Sequence, residues 1–282
     1  MRKSNNLSIK IKGKLVEFNE PLVMGIINTT PDSFYNQSRK IYVDDALFQA
    51  KKMLKEGAKI LDIGGYSSRP GADHVSIKEE LERVLPVIEE ISSKYPDAIL
   101  SIDTFRSEVA EKSIDAGAAI INDISGGSLD ENMYNKVGQL AVPYIMMHMR
   151  GTPQTMQTLT DYPNGVTHGV MHYFSDKKNE FLNAGGLDLI IDPGFGFAKT
   201  LDQNYELLRE LEMLHEFNLP ILVGVSRKSM ITKKLKINSE EALNGTSIIN
   251  TIALQKGAQI LRVHDVKEAV ECVKLTQETL LF

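Results

Sequence analysis

With a single cysteine, Cys272, in 282 residues, the chain can form no intrachain disulfide and build no cysteine-rich metal site. A hydrophobic content of 42% in a chain of this length can bury a large core without covalent staples, so a reducing compartment, the cytoplasm, is expected. No apolar run approaches the ~20 residues of a membrane span, and the positively charged start MRKSNNLSIKIKGK lacks the apolar stretch of a signal peptide. Neither membrane insertion nor secretion is expected. The formal net charge of -5, with acids and bases interspersed, leaves no basic stripe for nucleic acid. Linkers and low-complexity tracts are also missing, so residues 1–282 are expected to form one domain.

What is present is an alternation of short apolar runs with amphipathic helical segments from residue 21 to the end, the pattern of a parallel sheet. The runs PLVMGII (21–27), AKILDI (58–63), AILSI (98–102), AAIIN (118–122), AVPYIM (141–146), LDLII (187–191), PILVGV (220–225) and AQILRV (258–263) predict eight strands. Ser76 and Glu79 form a Ser-x-x-Glu capping box before a helix whose apolar face is Leu81, Val84, Leu85, Ile88 and Ile91, and Pro86 should kink that helix without ending it. The helix carrying Leu47, Ala50, Met53 and Leu54 should stop at Gly57. A glycine stop leading into a strand recurs in EGAKILD, AGAAIIN, AGGLDLIID and KGAQILR, 60 residues apart and then about 70 twice, which fits two βα units per interval.

Eight βα units in this length predict a closed (β/α)8 barrel over an open doubly wound sheet, and no Gly-x-Gly-x-x-Gly turn follows the first strand. The segment 7–18, alternating around Lys-Gly-Lys, predicts a β-hairpin ahead of the barrel at 21–282.

Barrels of this kind place their chemistry at the carboxyl ends of the strands. There the sequence offers Asn28, Asp62, Asp103, Asn122 with Asp123, His148, Asp192, then Ser226, Arg227 and Lys228, and finally Arg262 and His264. Asp103, Asn122 and Asp192 suit a flat heterocycle rich in N–H donors, with Lys228 bonding a ring carbonyl or nitrogen. Arg69 in the glycine-rich loop GGYSSRPG, together with Arg262 and His264, suits an anion.

Seven motifs in order, GIINTTPDSF (25–34), EGAKILDIGGYSSRPGA (56–72), SIDTFRSEVAEKSIDAGAAIINDISGG (101–127), MHMRGTPQTMQ (147–157), IDPGFGFAKT (191–200), GVSRKSM (224–230) and RVHD (262–265), carry a resemblance to the dihydropteroate synthase family. The resemblance implies condensation of a dihydropterin diphosphate with 4-aminobenzoate, releasing pyrophosphate. It implies that Asp103, Asn122, Asp192 and Lys228 hold the pterin, with Met147, Phe197 and Gly224 bordering it. It further implies that Asn28, Ser68, Arg69, Arg262 and His264 receive the diphosphate, with magnesium at Asn28. Phe34, Ser68, Pro70, Lys228 and Ser229 would contact the aminobenzoate or the loops around it. Asp103, Lys228, Arg69 and Arg262 would carry the chemistry, and a homodimer is the implied assembly.

The sequence departs from the family pattern at Tyr66, where glutamate is common, at Ser68, where threonine is common, and at residues 35–38, where Ser-Asp-Gly-Gly is usual. Those departures motivate an alternative, a pterin-binding protein without catalysis. A pterin-dependent methyltransferase barrel is a second alternative, but it has no diphosphate to expel and no need of the SRK segment or the Arg-x-His pair. His148 is expected to pack at its strand end, His168 and His172 lack the glutamate of a zinc protease motif, and Met146, Met147 and Met149 are expected to serve packing.

Overall fold

The structure is a computed structural model and describes residues 7–29, 39–66 and 75–280. It opens with a hairpin of β1 (Ser8–Ile11) and β2 (Lys14–Glu17), paired antiparallel with Ile11 opposite Lys14. The two turn residues between them, Lys12 and Gly13, both have positive φ, 47° and 77°, the geometry that matches the twist of a two-residue hairpin.

The barrel strands are β3 (Leu22–Asn28), β4 (Ile60–Gly64), β5 (Ile99–Asp103), β6 (Ile120–Asp123), β7 (Tyr144–Met147), β8 (Leu189–Asp192), β9 (Leu222–Val223) and β10 (Ile260–Val263). All pair in parallel in the order β8-β7-β6-β5-β4-β3-β10-β9, and a parallel bridge between Ile191 and Ile221 joins the two ends. The helices that return the chain are α1 (Arg39–Glu56), α2 (Ile77–Lys94), α3 (Ser107–Asp115), α4 (Met133–Leu140), α5 (Val166–Asn183), α6 (Leu201–Arg209), α7 (Ser229–Leu235), α8 (Leu243–Gln255) and α9 (Val266–Leu280). Every predicted strand is found, but all eight begin one to three residues later than the apolar run. The early residues, such as Ala58 and Ala118, are buried before strand pairing starts.

α2 runs unbroken through Pro86, and Ser76 caps it by accepting from the Glu79 amide at 3.2 Å. Only half of the expected box forms, because the Glu79 carboxylate is engaged by Arg83. The complete box is at α6, where Thr200 and Gln203 bond each other's backbone amides. The four repeated glycine stops, Gly57, Gly117, Gly185 and Gly257, all have positive φ, which explains why glycine recurs at these helix exits.

Strand alternation sorts the side chains into two cores. Outward residues such as Leu61, Ile102, Ile121, Met146 and Ile191 pack on the helices. Inward residues Met24, Ile60, Ile120, Ile145, Ile190, Leu222 and Ile260 form a separate layer, closed from below by Ile9 and Ile11 of the hairpin. Each fully buried aliphatic side chain contributes on the order of 2 kcal/mol, so the hairpin is an integral plug in the barrel floor.

Candidate active site

Two positions further along several of these strands, the inward side chain changes character. Above Ile60 comes Asp62, above Ile120 comes Asn122, above Ile190 comes Asp192 and above Ile260 comes Arg262, while Asp103 ends β5. The period of two keeps all of them on the inner face. The apolar layer beneath withholds water from that side, so the polar groups must satisfy one another or a ligand.

They largely do. Arg262 donates from Nε to Asp62 Oδ2 and from Nη2 to Asp103 Oδ2, both at 2.6 Å, and Asn122 Nδ2 donates to the same Asp62 oxygen at 2.9 Å. Burial pushes the Asp103 carboxyl up to about 7 against the pull of Arg262, with like charge from Asp62 acting in the same direction as burial. Burial also pushes the Lys228 ammonium down to about 8, opposed by Asp192. Lys228 Nζ donates to Phe195 O at 2.6 Å and lies 4.8 Å from the centre of the Phe197 ring. Gly224 lies between the two cations: a Cβ there would sit 3.9 Å from Lys228 Nζ and 3.8 Å from Arg262 Cβ, in ordinary van der Waals contact with both. Met147 lies opposite Asp192 in the β7–β8 register and joins Phe197 in a small apolar cluster. The result is a polar layer in which two acids and an amide close around Arg262, with Lys228, Asp192 and an apolar face beside them.

The structure therefore brings Asp103, Asn122, Asp192, Lys228, Met147, Phe197, Gly224 and Arg262 to one end of the barrel. Asn28 ends β3, exposed, opposite Gly64. His264 sits after β10, with Nδ1 3.0 Å from Ser226 Oγ. Ser229 is exposed at the start of α7. Phe34, Ser68, Arg69 and Pro70 lie outside the described residues.

Two residues grouped with the site by sequence have other duties. Asp123 is one position out of phase with Asn122, so it points to the helices; it accepts from Ser125 N and Oγ, Gly127 N and Tyr144 Oη, and orders the turn after β6. Arg227 leaves the pocket to form a two-pronged pair with Asp265 at 2.9 and 2.6 Å. His148, as expected, packs at its strand end, buried, with burial holding its imidazole well below the ordinary value.

Sequence reasoning missed Lys199. Its buried ammonium donates to Gly194 O and Phe197 O at 2.9 and 3.0 Å, with His148 Nδ1 at 2.9 Å, and so ties the loop 193–199 to the end of β7. It also missed Arg106, which donates to Glu80 Oε2 at 2.5 Å and Val75 O at 2.6 Å and stacks near Tyr66 and Phe105. Tyr66, the departure from the family's glutamate, also meets Phe105 edge-on.

At the level of class, this is a barrel enzyme with a layer of acids, an amide and cations above an apolar floor, and the family described as "Pterin binding enzyme" matches residues 24–264. The chain is 43% identical to dihydropteroate synthase of Escherichia coli strain K12 over 95% of both chains. It also resembles the crystal structure of Yersinia pestis dihydropteroate synthase in complex with a sulfonamide drug, with a TM-score of 0.91 and 40% identity, covering 97% of this chain and 99% of that one. A third likeness is to Xanthomonas albilineans dihydropteroate synthase with 4-aminobenzoic acid, with a TM-score of 0.90 and 35% identity over 98% and 99% of the two chains. The chain belongs to the dihydropteroate synthase family.

Proposed function

We propose that this protein condenses (7,8-dihydropterin-6-yl)methyl diphosphate with 4-aminobenzoate, giving 7,8-dihydropteroate and pyrophosphate. The observation that carries the reading is the connected set Asp103–Arg262–Asp62–Asn122 beside Lys228. Carboxylate and amide acceptors match the amidine-like N–H edge of a pterin, Lys228 matches its carbonyl or ring nitrogen, and Met147 and Phe197 cover its face. Arg262 then lies beside the methylene substituent, where an anion must leave.

In the reaction the bond from the methylene carbon to the diphosphate oxygen breaks, the arylamine nitrogen bonds that carbon, and the amine proton passes to solvent. Positive charge developing on the electron-rich pterin is stabilised by Asp103 in its ionised form, and Arg262, with Arg69 and His264, receives the departing negative charge. The arylamine is already nucleophilic, so the protein's task at that end is to position it, a role for Phe34, Ser68, Pro70 and Ser229.

Magnesium fits as an ion carried by the diphosphate. Among the described residues no group of three or more His, Cys, Asp or Glu could hold a metal, and Asn28 offers a single exposed amide oxygen. Phosphate oxygens and water would complete the shell, and the bound ion would neutralise the leaving group. We also infer a homodimer in the cytoplasm. Exposed Leu235, Ile248 and Leu275 on α7, α8 and α9 give a dimer apolar side chains to cover, and no helix among the described residues is long and apolar enough to cross a membrane. Sedimentation of the purified protein tests the dimer.

The deciding assay is pyrophosphate release with dihydropterin diphosphate and magnesium, with and without 4-aminobenzoate. Release that requires the arylamine and equals the dihydropteroate formed supports the synthase reading. Pterin binding without release or product overturns it in favour of a non-catalytic pterin binder.

A further inference from the structure

Asp62 is fully buried, yet no role in the reaction has been assigned to it. It stands at mid-strand in β4, level with Ile26 of β3 and Ser101 of β5. Ile26 has no side-chain donor, and Ser101 Oγ is buried without a hydrogen bond among the described residues. The carboxylate therefore reaches past both adjacent strands. On one side it takes Arg262 of β10 at 2.6 Å, and on the other Asn122 of β6 at 2.9 Å, both on Oδ2. Arg262 in turn divides its guanidinium between two acids, Nε to Asp62 and Nη2 to Asp103.

The two acids differ in exposure. The Asp103 side chain is 19% exposed and Asp62 is 0% exposed. A ligand entering from the strand ends can compete for the first and cannot reach the second, so the two contacts of Arg262 are not equivalent. We propose that Asp62 is a positioning residue that fixes Arg262 and Asn122 across the barrel, so that Asp103 can exchange the arginine for the pterin while Arg262 stays beside the leaving diphosphate. A lone tether through Asp103 would force one carboxylate to serve both ligand and arginine. This inference rests on the synthase reading and assigns a second acid to the same site.

The test is Asp62→Asn, assayed beside the parent. Turnover by the parent decides the synthase reading by itself, and the variant is scored only against it. The expected result is a fall of thirtyfold or more in kcat/KM for the dihydropterin diphosphate, with KM for 4-aminobenzoate within twofold of the parent. The charges that act on Asp103 are Arg262 from β10, Lys228 ahead of α7, Asp62 from β4, and at longer range Glu80 from α2 and Asp123 from β6. Removing Asp62 takes away one that disfavours its ionisation, so the acid limb of the pH profile should move to lower pH. A variant within threefold of the parent, or one that loses affinity for both substrates equally with the acid limb unmoved, overturns the proposal. If Asp62→Asn does not fold, Arg262→Lys decides, since a single ammonium cannot span both carboxylates. Activity as low as that of Arg262→Ala supports the two-acid tether, and near-parental activity overturns it.

Discussion

Asp103 and Lys228 titrate toward each other inside one pocket, and that sets an expected pH dependence for the proposed reaction. Asp103 has its pKa raised to about 7, so its carboxylate is lost as pH falls through that value; Lys228 has its pKa lowered to about 8, so its ammonium is lost as pH rises through that one. With the ionised acid and the protonated lysine both required, kcat/KM should be bell-shaped, with limbs near 7 and 8 in the free enzyme. Asp103→Asn should abolish the acid limb and lower turnover by about 30- to 1,000-fold, the equivalent of roughly 2–4 kcal/mol of transition-state stabilisation. A profile for the variant that keeps the limb near 7 would remove Asp103 from this role. Arg106 acts on stability: Arg106→Ala strands the fully buried Glu80 carboxylate, whose pKa burial has already raised. The expected cost is about 3–5 kcal/mol in urea unfolding at neutral pH. A loss below about 1 kcal/mol would mean that Thr104, which donates to Glu80 at 2.7 Å, suffices alone.

At the scale of the element, the loop 193–199 shows how a short glycine-rich turn becomes rigid enough to present ligands. Asp192 Oδ1 accepts from Gly194 N at 2.8 Å, Asn204 Oδ1 from Gly196 N at 2.6 Å, and Lys199 takes two of the loop's carbonyls. Those anchors place Phe195 O and the Phe197 ring against Lys228. Gly194 has φ of +70°, and a Cβ there would lie 2.0 Å from the His148 carbonyl oxygen, so no side chain fits without moving β7. Gly194→Ala should therefore cost about 1–3 kcal/mol of stability and weaken pterin binding measured by calorimetry. Parental affinity in that variant would show that the loop does not shape the pocket.

For the molecule as a whole, the barrel separates stability from chemistry along its axis. The floor is apolar and plugged by Ile9 and Ile11, and the polar layer lies one inward position above. Ile9→Ala opens a cavity beneath the strands and should cost about 2–5 kcal/mol in denaturant unfolding. The folded variant should retain the parent's kcat, because Ile9 packs in the apolar layer beneath the polar one. A matching fall in kcat would mean that the floor and the site are coupled.

How much of this was legible in the sequence follows from the range of each interaction. Hydrophobic period, glycine stops and the Lys-Gly-Lys turn are local, so the hairpin, the eight strands and the helix exits at Gly57 and Gly257 could be read directly. The residues at the strand ends could be read as a set for the same reason. Local pattern marks burial better than strand pairing, which is why all eight runs began before their strands did. What the sequence left undecided was direction and partnership. Asn122 and Asp123 are neighbours in the chain, and only barrel closure and register send the first inward and the second to Tyr144. Arg227 and Lys228 stand side by side, and only the loop geometry sends one to Asp265 and the other to Phe195. Asp62 meets a partner 200 residues away and Lys199 one 51 residues away. No periodicity carries such pairings, because closing the barrel creates them. The sequence thus determined which side chains reach the working end of the barrel, and the tertiary structure decided which of them hold one another and which remain to meet a ligand.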